Sequence, residues 1–181
     1  MKNNTLGTCI CAAGTALFVV LSSALKIPVF ENYYLCLGYA VVAVYCYCFG
    51  PSFGITVGVL GTAAYCFLIN GLRGLPGWAL GNAVIGLMLG LVFRKTSKMD
   101  GFRGMILEIT AIILSATLGI LIVKSFTECL LYSQPMALRM GKNFYAWIAD
   151  IFVLIVSLPL CRVLYRRLKK MLRPHARHET T

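Results

Sequence analysis

Residues 49–95 read FGPSFGITVGVLGTAAYCFLINGLRGLPGWALGNAVIGLMLGLVFRK, and this stretch decides the fold. Two apolar runs are joined here by a short turn rich in Gly and Pro. Glycines recur in both runs at a four-residue spacing that puts them on nearly one helix face, as in Gly50, Gly54 and Gly58 or Gly86 and Gly90. Each would weaken a helix in water by about 1 kcal/mol, but in lipid they let backbones approach closely. The stretch therefore predicts two transmembrane helices packed tightly together.

The rest of the chain has the composition of a membrane protein. Of its 181 residues, 59% are hydrophobic, and the mean hydropathy is +0.81. No charged residue lies between Glu31 and Arg73, or between Arg73 and Arg94. A net charge of +11 would be compatible with binding to nucleic acid. Many of the basic residues, however, directly follow apolar runs, as Lys and Arg do at the cytoplasmic ends of transmembrane helices. We predict an all-α integral protein of the bacterial cytoplasmic membrane, in contact with lipid and not with nucleic acid.

Six apolar runs are predicted to cross the bilayer, at about 6–25, 34–48, 52–70, 78–93, 105–124 and 144–164. They form one membrane domain, residues 1–165, and a basic tail follows at 166–181. Six spans put this tail, the N-terminus and the basic 94–104 loop on one side, so both termini are expected in the cytoplasm. The outer loops are then predicted at 26–33, 71–77 and 125–143.

Motifs for catalysis and cofactor binding are missing from the sequence. There is no GxxxxGK[ST] loop for nucleotide phosphates and no HExxH pair for zinc. Both histidines, His175 and His178, lie in the tail, which excludes a His-based centre inside the membrane. We therefore expect neither an enzyme nor a protein with a cofactor or bound metal.

The cysteines and Glu108 are assigned no functional role. Most of the eight cysteines lie in apolar runs, where a free thiol packs as a small hydrophobe. Cys36 and Cys129 are placed near the outer face, and whether they pair is left open. Glu108 lies at the opposite end of the bundle, and Arg103 or Arg94 is expected to neutralise it.

Polar and ionisable side chains, whose burial in a membrane is energetically unfavourable, cluster near the predicted outer face. Asp150 lies about six residues into the last span, or about 9 Å below its start, a depth at which an ionisable group suggests function. Lys124 ends the fifth span on the same side, and Asn82 lies one turn into the fourth. Together with nearby aromatic residues they could bind a polar heterocycle. The alternative, an internal Asp150–Lys124 pair with the aromatics as interface anchors, stays open.

These features together resemble those of a known family of membrane proteins. The chain resembles the substrate-binding S components of energy-coupling factor (ECF) vitamin transporters over most of residues 12–95, and its six-span layout matches throughout. The motifs that carry the resemblance are Ala12-xxx-Ala16, the SSALKIP segment at 22–28, Phe49-Gly50-Pro51, Gly77-Trp78 and Leu80-Gly81-Asn82.

The resemblance implies a function and a set of residues. An S component captures a vitamin or similar micronutrient from outside with high affinity. It docks on a membrane coupling (T) subunit, here partly through Ala12 and Ala16, and two cytoplasmic ATPases drive transport. The implied ligand site near the outer face takes in Arg73, Trp78, Asn82, Lys124, Asn143, Trp147 and Asp150. The sequence does not identify the vitamin, although the charges of the outer side weakly favour a neutral or anionic aromatic compound.

An alternative comes from another functional class. Bacterial cell-shape proteins of the rod complex are membrane scaffolds of similar size that also carry a Gly-Pro…Gly motif between spans. Their characteristic acidic residue after the glycine-rich helix is missing here, because Ala63 and Ala64 follow Gly61-Thr62. The sequence therefore favours the transporter subunit over the scaffold.

Overall fold

The computed structural model of the chain describes residues 2–24, 28–30, 33–99 and 101–172. Residues 173–181 of the predicted basic tail lie outside the described residues. The described part is almost entirely helical. The elements in chain order are α1 (Lys2–Ala24), β1 (Pro28–Phe30), β2 (Tyr33–Tyr34), α2 (Gly38–Phe49), α3 (Pro51–Tyr65), α4 (Leu75–Thr96), α5 (Phe102–Ala116), α6 (Ser125–Tyr132) and α7 (Met136–Leu172). A π-helical turn, Cys66–Asn70, extends α3, and a second one, Thr117–Lys124, joins α5 to α6. A short 3₁₀ turn, Leu72–Gly74, precedes α4.

Five helical stretches are long and apolar enough to cross a membrane, and the shorter apolar helix α2 accompanies them. The all-α, multi-pass fold is therefore confirmed. At 12 residues, α2 spans about 18 Å and is shorter than the hydrocarbon core of about 30 Å. Gly50 separates it from α3 with a φ of 89°, which favours glycine, and Pro51 then occupies the first turn of α3.

Helices α3 and α4 pack backbone against backbone, as the glycine spacing predicts. A Cβ atom added to Gly86 would lie 2.7 Å from the Ile55 nitrogen and 2.8 Å from the Gly54 carbonyl carbon. A Cβ on Gly90 would meet the backbone of Pro51. The two helices can approach this closely only because these positions carry no side chain.

Helix α2 occupies the centre of the bundle and contacts α1, α3, α4 and α7. Its side chains Val42 and Cys46 are fully buried. The core continues through Ile85 and Leu89 of α4 to Leu154 of α7. The strands β1 and β2 pair antiparallel and contact α7 at one end of the bundle. This end is where α1 finishes and α4 begins, and we call it the hairpin end.

Two predicted segments differ from the structure. The second span was expected from residue 34, but Tyr33–Tyr34 form a strand and α2 begins only at Gly38. The segment 125–143 was expected to be an outer loop, yet α6 and the start of α7 make nearly all of it helical. Its polar side chains Ser125, Glu128 and Asn143 are buried inside the bundle. A loop was the wrong interpretation because these polar residues face the protein interior and not water.

Candidate functional site

A cavity of about 190 Å³ opens at the hairpin end of the bundle. We call it the outer cavity, because this end carries side chains that the sequence predicts near the outer face. Residues from almost every helix contribute to its wall: Ser22, Leu35, Cys36, Tyr65, Asn70, Gly74, Trp78, Lys124, Glu128, Asn143, Ala146 and Asp150. The lining combines aromatic rings, amides, two carboxyl groups and one amine. Such a combination suits a small polar ligand with a ring system.

Two π-helical turns deliver polar side chains to this cavity. Asn70 is the last residue of the turn that extends α3, and Lys124 is the last residue of the turn that joins α5 to α6. Both residues line the cavity. π-helical turns are rare and occur often at functional sites. Their position beside one cavity supports its assignment as the candidate site.

One wall of the cavity is aromatic. The rings of Tyr65 and Trp78 meet edge to face, with centroids 5.7 Å apart. The Trp78 indole N–H donates to the Tyr39 hydroxyl at 3.0 Å, which holds the indole in place. The Lys124 ammonium lies over the Trp78 ring, 5.9 Å from its centroid. The wall therefore offers a fixed aromatic surface with a cation at its edge.

The lining also carries two carboxyl groups. Asp150 and Glu128 expose only 5% and 6% of their surface. Glu128 accepts a hydrogen bond from the Asn143 side-chain amide at 3.2 Å and pairs with Arg139 at 3.6 Å. Asp150 interacts with the Tyr39 hydroxyl and lies within electrostatic range of Lys124.

Asp150 and Lys124 form no ion pair within 4 Å. The ion pairs among the described residues are Arg139–Glu128 and Arg162–Glu108. The internal Asp150–Lys124 pair left open by the sequence is therefore not a direct contact. Glu108 is also neutralised by a different residue than expected: Arg162 of α7 approaches it at 2.6 Å, and neither Arg103 nor Arg94 does.

The structure brings four of the seven predicted ligand-site residues to the outer cavity: Trp78, Lys124, Asn143 and Asp150. The other three lie elsewhere. Asn82 is fully buried between α3 and α4 and donates to the Thr62 hydroxyl at 2.6 Å. Arg73 is exposed, with its guanidinium over the Tyr132 ring. Trp147 donates to the Thr117 hydroxyl at 3.1 Å and stacks on Phe144.

The lining residues Glu128, Tyr65 and Asn70 were not predicted. Tyr39, which accepts the Trp78 hydrogen bond from outside the lining, was not predicted either. A signal existed for Glu128, because it follows Lys124 by four residues and so shares its helix face. The tyrosines carried no comparable signal, since aromatic residues are frequent at membrane interfaces. Within the described residues, no group of three or more His, Cys, Asp or Glu side chains could hold a metal ion.

The predicted docking residues Ala12 and Ala16 are both exposed on α1. Ala12 lines a broad, mainly apolar groove between α1 and α3, together with Thr15, Phe53 and Leu60. The groove has a volume of about 830 Å³. Small residues along its α1 side leave room for another helix to approach.

Comparison with known proteins adds independent information. The model of the family described as "ECF-type riboflavin transporter, S component" matches residues 2–166. A UPF0397 protein of Streptococcus thermophilus is 28% identical over 173 residues, which cover 91% of this chain and 93% of the relative. A UPF0397 protein of Lactococcus lactis subsp. cremoris is 33% identical over 106 residues, 58% of each chain. One from Streptococcus agalactiae is 24% identical over 172 residues and covers 92% and 94%.

Proposed function

This chain belongs to the family of S components of ECF-type riboflavin transporters, and from that premise we propose that its outer cavity captures a vitamin-like aromatic heterocycle. The chain is thus a substrate-binding transporter subunit in the bacterial cytoplasmic membrane. Family membership removes the basis for the scaffold alternative. The proposal concerns the substrate, the residues that hold it and the partners that complete the transporter.

The composition of the outer cavity is the observation that carries the proposal. The aromatic rings of Trp78 and Tyr65 and the polar groups of Asp150 and Asn143 line the same cavity. A flat heterocycle could stack on the rings while its N–H groups donate hydrogen bonds to the polar groups. Apolar or aromatic walls with a few convergent polar groups are typical of small-molecule sites.

The charges of the cavity refine the substrate class. Lys124 is the cation among the lining residues that the structure describes, and Glu128 is already paired with Arg139. Asp150 can therefore accept hydrogen bonds from N–H groups of a bound heterocycle, while Lys124 donates hydrogen bonds to its carbonyl groups. This pattern supports a neutral heterocycle with alternating donors and acceptors more than an anionic one. Riboflavin, which the family description names, has this chemistry and is the first candidate.

The volume of the cavity limits how such a ligand fits. Its 190 Å³ lies below the range of about 300–1,000 Å³ that is usual for small-molecule sites. We infer that the site widens when a large heterocycle binds. A smaller heterocycle would fit with less rearrangement, so the size of the bound ligand indicates how far the cavity must widen.

Purified full-length protein provides the test. Small molecules that copurify with it are to be identified by mass spectrometry, and riboflavin is to be titrated while tryptophan fluorescence is recorded. Trp78 and Trp147 are the only tryptophans, and Trp78 lines the cavity. The Trp147→Phe variant should therefore keep any ligand-induced quenching. A protein that binds neither riboflavin nor a copurifying heterocycle would refute the proposal.

Asp150→Asn is predicted to weaken binding of the identified ligand about ten- to a hundredfold. The change removes a charge-assisted hydrogen bond, worth roughly 1.5–3 kcal/mol, and keeps the side-chain shape. Titration of the purified variant measures the effect. Ser157→Ala is a matched control, because Ser157 is a buried polar residue of the same helix outside the cavity lining and bonds the Leu154 carbonyl.

A second variant separates ligand binding from charge balance. If Asp150 only offsets the charge of Lys124, adding Lys124→Met to Asp150→Asn should restore the affinity. If both residues contact the ligand, the double variant should bind more weakly than either single one. Unchanged affinity in Asp150→Asn would remove this residue from the site.

We infer that the groove between α1 and α3 receives the T subunit, through which two ATPases act. The support is the row of small residues along α1, which includes Ala12, and the width of the groove. Ala12→Trp is predicted to leave ligand affinity unchanged but lower uptake in cells by roughly tenfold or more, because the indole prevents close helix approach. Ala16 lies one turn further along α1 and does not line the groove, so Ala16→Trp tests whether the docking face extends beyond it.

Ala13→Trp is the matched control for the docking face. Ala13 is also small and exposed on α1, but it does not line the groove. It should therefore retain most of the uptake. Equal uptake in the Ala12→Trp and Ala13→Trp strains would show that the groove is not where the T subunit docks.

A further inference from the structure

Tyr39 lies beside the outer cavity without lining it. It is the second residue of α2, and only 1% of its surface is exposed. The start of α2 packs closely on α1, since a Cβ atom added to Gly38 would lie 2.5 Å from the Ser22 hydroxyl oxygen and 2.7 Å from the Phe18 ring. Tyr39 is therefore held in a tightly packed part of the bundle, next to the cavity.

Two lining groups of the cavity meet at the Tyr39 hydroxyl. The Trp78 indole N–H donates to its oxygen at 3.0 Å. The hydroxyl in turn donates its own proton to the Asp150 carboxyl group. Indole has a donor and no acceptor, whereas a phenol can accept one hydrogen bond and donate another. The three side chains therefore form a directional chain of hydrogen bonds from α4 through α2 to α7.

This chain connects two lining groups of different chemistry. Trp78 contributes an aromatic ring to the cavity, and Asp150 contributes oxygen atoms that accept hydrogen bonds. They come from different helices, so the backbone of a single element does not fix their relative orientation. Because Tyr39 contacts both from outside the lining, a change at Tyr39 can alter the site without removing a group that touches a ligand.

We propose that Tyr39 is a positioning residue, which orients the Trp78 ring and the Asp150 carboxyl group together for one bound heterocycle. This inference rests on the proposed function, because it requires a heterocycle in the outer cavity. The Tyr39 hydroxyl takes one acceptor site of the carboxyl group and leaves the others for N–H groups of the heterocycle. A site that is oriented before binding loses less conformational freedom when the heterocycle enters, and the affinity is higher for that reason.

Tyr39→Phe tests this role, because it removes the hydroxyl and keeps the ring. Riboflavin is titrated against the purified full-length variant in detergent. The dissociation constant is expected to rise about tenfold, the lower end of the effect of losing a hydrogen bond to a charged group. Tyr47→Phe is the matched control, because Tyr47 is also a buried tyrosine of α2 and its hydroxyl donates to Glu108, outside the lining of the outer cavity. This control should leave the dissociation constant nearly unchanged.

A double-mutant cycle with Asp150→Asn separates positioning from a general loss of structure. A neutral hydrogen bond is roughly half as strong as a charge-assisted one. Adding Tyr39→Phe to Asp150→Asn should therefore raise the dissociation constant for riboflavin only about threefold, against about tenfold in the parent protein. An equal effect of Tyr39→Phe in both backgrounds would show that Tyr39 does not act through Asp150, and would overturn the joint orientation of the two groups.

The ligand-free protein provides a spectroscopic measurement of the same chain. Trp147→Phe leaves Trp78 as the only tryptophan, and ultraviolet resonance Raman spectra then report how strongly its indole N–H is hydrogen-bonded. Tyr39→Phe in this background should shift the N–H-sensitive band towards that of a free indole. Asp150→Asn should shift it in the same direction by a smaller amount, because hydrogen bonds in a chain strengthen one another. Tyr47→Phe should leave the band unchanged.

These measurements distinguish failure of this inference from failure of the proposed function. A parent protein that binds neither riboflavin nor a copurifying heterocycle refutes the proposed function, and this inference with it. If another heterocycle copurifies, it replaces riboflavin in the titrations. Normal binding by the parent and an unchanged dissociation constant in Tyr39→Phe would leave the proposed function intact and overturn the role of Tyr39. An unchanged Raman band in Tyr39→Phe overturns that role as well, whether or not riboflavin binds.

Discussion

Gly86→Ala is expected to destabilise the folded protein by about 3 kcal/mol or more, the upper end of the range for overpacked cores. The added methyl would lie 2.7 Å from the Ile55 nitrogen and 2.8 Å from the Gly54 carbonyl carbon. These are backbone atoms of α3, so no rotamer change can relieve the overlap and the two helices must separate. Because α3 leads to Asn70 and α4 carries Trp78, the walls of the outer cavity should move apart as well.

Unfolding of the purified protein in detergent measures this effect, and ligand titration measures its consequence at the cavity. Gly141→Ala is the matched control, because Gly141 lies in α7 and nothing is within 4 Å of its added Cβ. That change should be neutral or stabilise by up to about 1 kcal/mol, the difference in helix propensity. Similar stabilities for the two variants would mean that the α3–α4 contact tolerates separation.

The contact between α3 and α4 could be predicted from sequence because glycine spacing reports directly on helix packing in lipid. Gly54 and Gly58 share one face of α3, Gly86 and Gly90 share one face of α4, and the structure places both faces at the interface between these two helices. The multi-pass character was equally predictable, because an uncharged apolar run of about 20 residues has the length that a bilayer core requires of a helix.

The segment 125–143 could not be predicted from composition in the same way. A polar stretch between apolar runs usually indicates a loop in water. Here Phe126, Leu130 and Leu131 face outward, at 56%, 67% and 54% exposure, while Glu128 and Asn143 face inward. The arrangement of a soluble helix is reversed, and only the tertiary structure shows which side is the interior.

The sequence indicated which residues lie near one end of the bundle, but not which way each side chain points. Asn82 follows Trp78 by one turn, so the two residues share a helix face, yet the deeper one meets Thr62 on α3 instead of the cavity. Trp147 precedes Asp150 by three residues but its indole reaches Thr117. Helix rotation and the π-helical turn that ends at Lys124 determine where these side chains point, and neither has a clear sequence signal.

Arg162→Met is expected to destabilise the protein by about 3 kcal/mol, the lower end of the cost of removing one partner from a buried ion pair, because Arg162 itself is 33% exposed. Glu108 is fully buried, and Arg162 and the Tyr47 hydroxyl are its partners. The pair and its hydrogen bond connect α2, α5 and α7 at the end of the bundle opposite the outer cavity. Denaturant or thermal unfolding of the purified protein measures the loss.

The double variant Arg162→Met with Glu108→Gln decides whether charge is the cause. An unpaired carboxylate inside the membrane is far more costly than an amide, which can still accept a hydrogen bond from Tyr47. The second change should therefore recover much of the stability that the first one lost. Ligand affinity at the outer cavity should change little in the recovered protein, since neither residue lines that cavity. A double variant as unstable as Arg162→Met alone would mean that packing of the arginine stem, and not neutralisation of Glu108, holds these three helices together.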